Sequence, residues 1–209
     1  MTTLSQILET KIVAIIRGAN PKDVLKIANA LRKGGVKALE ITINSPKALS
    51  VIEEVSDQLG NQVLVGAGTV LDAETARAAI SAGAKFIISP TVDIETIKTT
   101  KRYGIVSIPG AYTPTEILTA YANGGDLIKV FPASSGIQYI KDIRGPLAHI
   151  PLMPTGGINL NNIAEYQKAG AVAFGIASAL VDTKEEVTED YLLQLTDKAS
   201  KFIKAVNSL

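Results

Sequence analysis

Residues 12–43 read IVAIIRGANPKDVLKIANALRKGGVKALEITI, one complete strand–helix–strand unit. Residues 12–16 form an apolar, largely β-branched run of strand length, and residues 36–43 form a second. Between them Val24, Leu25, Ala28 and Leu31 fall at i, i+1, i+4 and i+7, the spacing of an amphipathic helix. Asn20-Pro21 supplies a capping side chain and a proline at the first helical position, and Gly34-Gly35 supplies the stop. Outward from this unit the same beat recurs at QVLVG (62–66), KFIIS (85–89), IVSI (105–108), LIKVF (127–131), IPLM (150–153) and AVAFGI (171–176). Successive starts lie 24, 26, 23, 20, 22, 23 and 21 residues apart, the length of one strand, one helix and two short turns. Further helix caps stand at Ser45-Pro46, Asp72, Thr113-Pro114 and Asn159, and residues 184–206 form the last expected helix. Eight strands, each followed by a helix, predict an α/β fold, a (β/α)₈ TIM barrel, as a single domain over residues 1–209. No repeated motif accompanies the period, which argues against a solenoid. No glycine-rich turn follows IVAII, which argues against an open dinucleotide-binding sheet.

Composition narrows the chemistry. With 21 basic and 20 acidic side chains the net charge is +1, so no global field favours nucleic acid or an anionic membrane as partner. The absence of cysteine removes disulfides, thiolate zinc sites, iron–sulfur clusters and a cysteine nucleophile. A single histidine removes the usual multi-histidine metal site. Met1 to Lys11 carry no apolar h-region, and no apolar run approaches the roughly 20 residues of a membrane span, so the expected location is cytoplasmic.

A barrel of this kind builds its chemistry at the C-terminal ends of its strands. Lys11, Lys37 and Lys85 lie at strand starts, and His149 precedes its strand, so all four belong to the opposite, structural end. Lys129 and Glu40 are different. Lys129 lies inside LIKVF with no charged neighbour in the run, and Glu40 shares a face with Val36, Ala38 and Thr42, away from Leu39 and Ile41. One account of such a pair is a buried ion pair, which desolvation makes a weak stabiliser. The other is imine chemistry: a desolvated lysine offers a neutral amine to a carbonyl, and a carboxyl shuttles protons as the carbinolamine forms and collapses. Arg17 closes the first strand in phase with Val13 and Ile15. It is either an anion-binding guanidinium at the mouth or a surface arginine of the first loop.

Glycine-containing segments follow three strands. Gly66-Ala67-Gly68-Thr69 is expected as a tight turn exposing amides and the Thr69 hydroxyl. Thr155-Gly156-Gly157 follows the seventh strand, and Gly175 leads to Ser178 after the eighth. Barrels place phosphate at these last two loops, on free backbone N–H groups. The residues together describe a metal-free aldolase acting on a phosphorylated keto acid or keto sugar.

The runs VAIIRG, ALEIT, VGAGTV, FIISP, IPGAYTPTE, LIKVFPA and MPTGGI, in this order over about residues 5–182, resemble the 2-keto-3-deoxy-6-phosphogluconate (KDPG) and 4-hydroxy-2-oxoglutarate (KHG) aldolase family. The resemblance implies a class I aldolase on a (β/α)₈ barrel, without cofactor or metal, assembled as a homotrimer. It implies Lys129 as the Schiff-base lysine and Glu40 as the general acid/base. Thr69 matches the position that helps hold the pyruvyl carboxylate, and Pro90 and Phe131 match substrate-side positions. Thr155, Gly156, Gly157, Gly175 and Ser178 match the phosphate site. Some members carry a substrate-binding arginine four residues after the glutamate, where this chain has Asn44. Others have one closing the first strand, as Arg17 does, and Arg17 is therefore expected to bind the anion. The implied reaction is cleavage of 2-dehydro-3-deoxy-6-phosphogluconate to pyruvate and D-glyceraldehyde 3-phosphate. The galactonate-derived epimer and 4-hydroxy-2-oxoglutarate are alternative substrates. Two rivals stand beside it: a metal-free phosphosugar isomerase or epimerase with a glutamate base, and a non-catalytic phosphometabolite-binding barrel that has no need of Lys129 or Glu40.

Overall fold

The computed structural model describes residues 1–208. The strands are β1 (Ile12–Ile16), β2 (Ala38–Thr42), β3 (Leu64–Gly68), β4 (Phe86–Ile88), β5 (Val106–Ile108), β6 (Gly110–Ala111), β7 (Ile128–Val130), β8 (Leu152–Pro154) and β9 (Phe174–Ile176). Among the described residues nine α-helices accompany them, with none between β5 and β6: α1 (Thr3–Thr10), α2 (Pro21–Lys33), α3 (Ala48–Leu59), α4 (Ala73–Ser81), α5 (Ile94–Arg102), α6 (Pro114–Ala122), α7 (Ile137–Arg144), α8 (Ile163–Lys168) and α9 (Glu189–Asn207). All pairings are parallel, in a six-stranded sheet of order β5-β4-β3-β2-β1-β9 and a three-stranded sheet of order β6-β7-β8.

The expected fifth strand extends past its anticipated end and is split. Pro109 has no N–H to give, so the ladder with β4 ends at Ile108 and pairing resumes with β7 at Gly110. The Asp126 N–H donates to the Ser107 carbonyl (2.8 Å) and the Lys129 N–H to the Pro109 carbonyl (2.9 Å), tying this run to the chain around β7. At the other edge a parallel bridge pairs Thr155 with Gly175, and the Val172 N–H donates to the Leu152 carbonyl (3.0 Å).

Period-two alternation sorts the strand residues into two apolar clusters. Val13, Ala38, Leu64, Phe86, Ile88, Val106, Ile108, Leu127, Met153 and Ala173 face a common interior shared by both sheets. The opposite phase, Ile12, Ala14, Ile16, Leu39, Ile41, Val65, Ile87, Ile128, Val130, Leu152 and Phe174, packs against the helices. The sheets are therefore curled, with helices outside. Their interior is stoppered by α1, which the sequence reading left unassigned. Leu4, Ile7 and Leu8 carry the i, i+3, i+4 signal of that helix, and Ile7 is fully buried in the inner cluster.

Most caps stand where expected. Asn20, Asp72 and Thr113 each accept a backbone N–H, and Thr113 with Glu116 forms a capping box. Three boundaries move. Ser45 does not cap α3; its hydroxyl is used toward the first loop instead. Asn159 lies one short turn before α8, and α9 begins at Glu189, capped by Thr188. Lys11 donates to the Val206 carbonyl (3.1 Å) at the end of α9, while Lys37, Lys85 and His149 are exposed, in keeping with the structural end of the sheets.

Gly66 and Gly68 do not form a turn. They are the second half of β3, and neither has a positive φ. A Cβ at Gly66 would lie 2.2 Å from the Phe86 ring, so the strand is thinned to admit a neighbour. Gly175 likewise lies within β9, where a Cβ would meet Thr155 Oγ1 at 2.3 Å. No described helix is long and apolar enough to cross a membrane.

Candidate active site

Lys129 is the middle residue of β7 and Glu40 the middle residue of β2, and both take the inward phase. Glu40 is fully buried and Lys129 is 3% exposed. Neither carboxylate oxygen of Glu40 has a hydrogen-bond partner among the described residues. The ion pairs of the described residues all lie elsewhere, so this is no salt bridge. Burial pushes the Glu40 carboxyl above its ordinary pKa, and the positive charges of Lys129 and Arg17 only partly oppose it. A carboxyl that holds its proton unusually well thus faces an amine inside an apolar wall.

Phe131 directly follows β7, the strand of Lys129, and its ring centroid lies 5.1 Å from Nζ, within reach of a cation–π contact. A Cβ at Gly156 would sit 3.6 Å from the same ring. Phe131 therefore connects the lysine with the glycine turn after β8.

Arg17 follows β1 and reaches across to Thr69, its Nη2 donating to Oγ1 at 3.3 Å. Thr69 adopts a left-handed conformation (φ 58°) at the end of β3. The arginine backbone is clamped on both sides: Thr183 Oγ1 donates to its carbonyl (2.7 Å), and the Gly18 N–H donates to Ser45 Oγ (2.8 Å). The Ser45 and Thr42 hydroxyls pair at 2.9 Å. Sequence reasoning missed Ser45 and Thr183, because their roles depend on strands far apart in the chain.

A cavity of about 170 Å³ opens between the turns after β8 and β9, lined by Gly156, Gly157, Asn159, Gly175 and Ser178 among others. Gly156 (φ 92°) and Gly157 (φ 81°) are both left-handed, a succession open to glycine at little cost. Among the described residues none of Gly156, Gly157, Ser178 and Ala179 gives its N–H to a protein acceptor. The Gly157 carbonyl is held by Asn162 Nδ2 (2.9 Å) and Asn159 Nδ2 (3.2 Å), which fixes the turn. Asn162 is a third residue the sequence reading overlooked; asparagines after a GG turn were the available signal. A neighbouring cavity of about 210 Å³ is lined by Ile15, Arg17 and Ser178, so Ser178 borders both.

The family model for KDPG and KHG aldolase matches residues 4–194. The chain belongs to the KDPG and KHG aldolase family. Among its relatives, the 2-dehydro-3-deoxy-6-phosphogalactonate aldolase of Escherichia coli is 34% identical over 196 residues, 93% of each chain. The 2-dehydro-3-deoxy-phosphogluconate aldolase of Pseudomonas aeruginosa is 38% identical over 160 residues, 76% of this chain and 72% of that protein. The crystal structure of the KDPG aldolase from Legionella pneumophila, with pyruvate captured as a covalent carbinolamine, superposes with a TM-score of 0.82 at 27% identity, over 98% of each chain.

In this aldolase, Lys129, Glu40, Arg17, Thr69 and Phe131 come to the same end of the curled sheets, and Gly156, Gly157, Gly175 and Ser178 gather at the cavity beside them. Thr155 departs from this group. Its side chain is buried against Gly175 in the inner wall and does not line the cavity, since the period of two carries it inward after Met153. Pro90 is half-buried, and its carbonyl group lies against Gly110. Asn44 is exposed in the turn after β2, outside both cavities.

Proposed function

We propose that this aldolase cleaves 2-dehydro-3-deoxy-6-phosphogluconate to pyruvate and D-glyceraldehyde 3-phosphate through a Schiff base on Lys129. The observation that carries the reading is a lysine, 3% exposed, in the middle of an inward strand face opposite an unpaired, fully buried carboxyl. Lys129 Nζ adds to the C2 ketone, and protonated Glu40 gives its proton to the departing hydroxyl, so the carbinolamine loses water and becomes an iminium. Glu40, now a carboxylate, takes the proton of the C4 hydroxyl. The C3–C4 electron pair moves to C3 and into the iminium, leaving an enamine and free glyceraldehyde 3-phosphate. Glu40 returns its proton to C3, and water hydrolyses the resulting iminium to pyruvate and the free lysine. Arg17 and Thr69 hold the substrate carboxylate, with Pro90 and Phe131 beside the pyruvyl portion. The free amides of the Gly156-Gly157 turn and the Ser178 hydroxyl hold the phosphate, the cavity edge at Gly175 giving it room.

A second reading takes the C4 epimer, the galactonate-derived substrate. The 34% identity to the E. coli phosphogalactonate aldolase over 93% of both chains favours it. We also infer that the two parallel sheets close into one (β/α)₈ barrel, supported by the Thr155–Gly175 bridge and the continuous run through Pro109. A homotrimeric assembly rests on the family resemblance.

Borohydride trapping with pyruvate tests the mechanism. The expected result is a stable mass adduct on Lys129, lost in Lys129→Ala. No adduct at saturating pyruvate, or one on another lysine, overturns it.

A further inference from the structure

Glu40 stands opposite Gly66 in the β2–β3 register, and Thr42 stands opposite Gly68. The Glu40 side chain nevertheless leans along its strand toward the C-terminal end and lays its carboxyl over Gly68. A Cβ built at Gly68 would lie 1.7 Å from Glu40 Oε1, 2.3 Å from Cδ and 2.5 Å from Cγ. Non-bonded carbon and oxygen do not approach so closely, so this placement of Glu40 requires residue 68 to lack a side chain. The backbone supplies no rival reason for glycine: Gly68 lies in a strand without a positive φ. Gly66, two residues earlier, accommodates the Phe86 ring instead.

We propose that Gly68 is a positioning residue for Glu40: its bare backbone is the slot in which the carboxyl lies, inside the wall and facing Lys129. This rests on the reading of Glu40 as the proton carrier. Within the slot neither oxygen meets a donor. A methyl group at 68 forces the carboxyl by more than an ångström toward the mouth, where solvent and Arg17 surround it. Displacement on that scale costs roughly a hundredfold in turnover. It also returns the carboxyl toward ordinary acidity, because burial is the main cause of its raised pKa.

The test compares Gly68→Ala, Gly66→Ala, Glu40→Ala and the Gly68→Ala/Glu40→Ala double variant in the full chain. Aldol cleavage is followed across pH, pyruvate adduct formation by borohydride trapping, and folding by thermal melting. For Gly68→Ala the expected result is about a hundredfold lower kcat, KM within a few-fold of wild type, and an acid limb moved to lower pH. Gly66→Ala is expected to lower Tm and leave that limb in place. On the Glu40→Ala background, Gly68→Ala is expected to change neither adduct rate nor Tm appreciably, since nothing remains to collide with. An acid limb that stays put in folded Gly68→Ala, an equal shift in Gly66→Ala, or a full additional loss on the Glu40→Ala background overturns the proposal. If Gly68→Ala does not fold, the double variant decides. Folding like Glu40→Ala supports the slot, and failure to fold without the Glu40 side chain overturns it. Wild-type turnover by Glu40→Ala overturns the proton-carrier reading itself, an outcome distinct from all of these.

Discussion

Lys129 and Glu40 enter one interior from β7 and β2, and the lysine charge acts on the carboxyl without a hydrogen bond or ion pair between them. A closed salt bridge would occupy both groups. An open pair leaves the amine free for a carbonyl carbon and the carboxyl free for the protons that the carbonyl chemistry moves.

The raised pKa of Glu40 has a consequence for stability. Its folded value lies above the reference 4.5, so the folded state binds the proton more tightly than the unfolded chain does. Ionised Glu40 therefore lowers stability above its folded pKa. That loss disappears as pH falls through the folded value toward the unfolded one. Glu40→Gln, a neutral isostere, is expected to melt higher than wild type at pH 8, with the difference shrinking on acidification toward pH ~4.5. Thermal melts across that range check it; a Glu40→Gln melting temperature below wild type at pH 8 contradicts the burial argument.

Arg17→Ala removes the guanidinium beside Thr69. A hydrogen bond to a charged group contributes about 1.5–3 kcal/mol, so KM for the keto acid is expected to rise roughly tenfold to a hundredfold. Thr69→Ala should cost less. Steady-state kinetics of both variants make the comparison, and an unchanged KM in Arg17→Ala assigns the arginine to the surface.

Ser178→Asp places a carboxylate at the edge of both cavities. Like charge repels a phosphate, so the expected loss of kcat/KM is about tenfold greater for phosphorylated than for unphosphorylated keto acids. Equal losses on both substrates argue against a phosphate there.

Asn162→Ala releases the Gly157 carbonyl and the Asn159 N–H that the asparagine holds. The glycine turn, left with only the Asn159 Nδ2 contact to the Gly157 carbonyl, is loosened, and KM for the phosphorylated substrate is expected to rise about fivefold to tenfold, in line with about 1 kcal/mol of lost hydrogen bonding. Pyruvate trapping on Lys129 should proceed at the wild-type rate. A matching fall in trapping places the effect in the lysine half of the site.

Much of this architecture was legible in local pattern. The beat from Ile12 onward marks every strand except β6, because burial of alternate faces and helix capping are encoded within a few residues. The split at Pro109 was legible too, had the missing N–H been weighed. The helix α1 was overlooked because its three apolar residues carry meaning only once an open sheet end exists for Ile7 to fill. Glycine misled most. Gly66, Gly68 and Gly175 read as turns, yet each clears space for a side chain from an adjoining strand, Phe86, Glu40 and Thr155 respectively.

Lys129 and Glu40 were determined by the sequence itself: a charged residue amid an apolar strand run stands out against a strict period of two, whatever the neighbours are. So were the exclusions that follow from no cysteine and one histidine. The tertiary structure alone decided which groups meet. The Arg17–Thr69 contact, the clamp from Ser45 and Thr183 and the seat of Glu40 on Gly68 all join residues that the pairing and curling of the sheets bring together. The physical reason is range: strand period and capping are interactions within a turn or two of chain, whereas packing clearance and side-chain hydrogen bonds depend on register between strands that the local pattern does not specify.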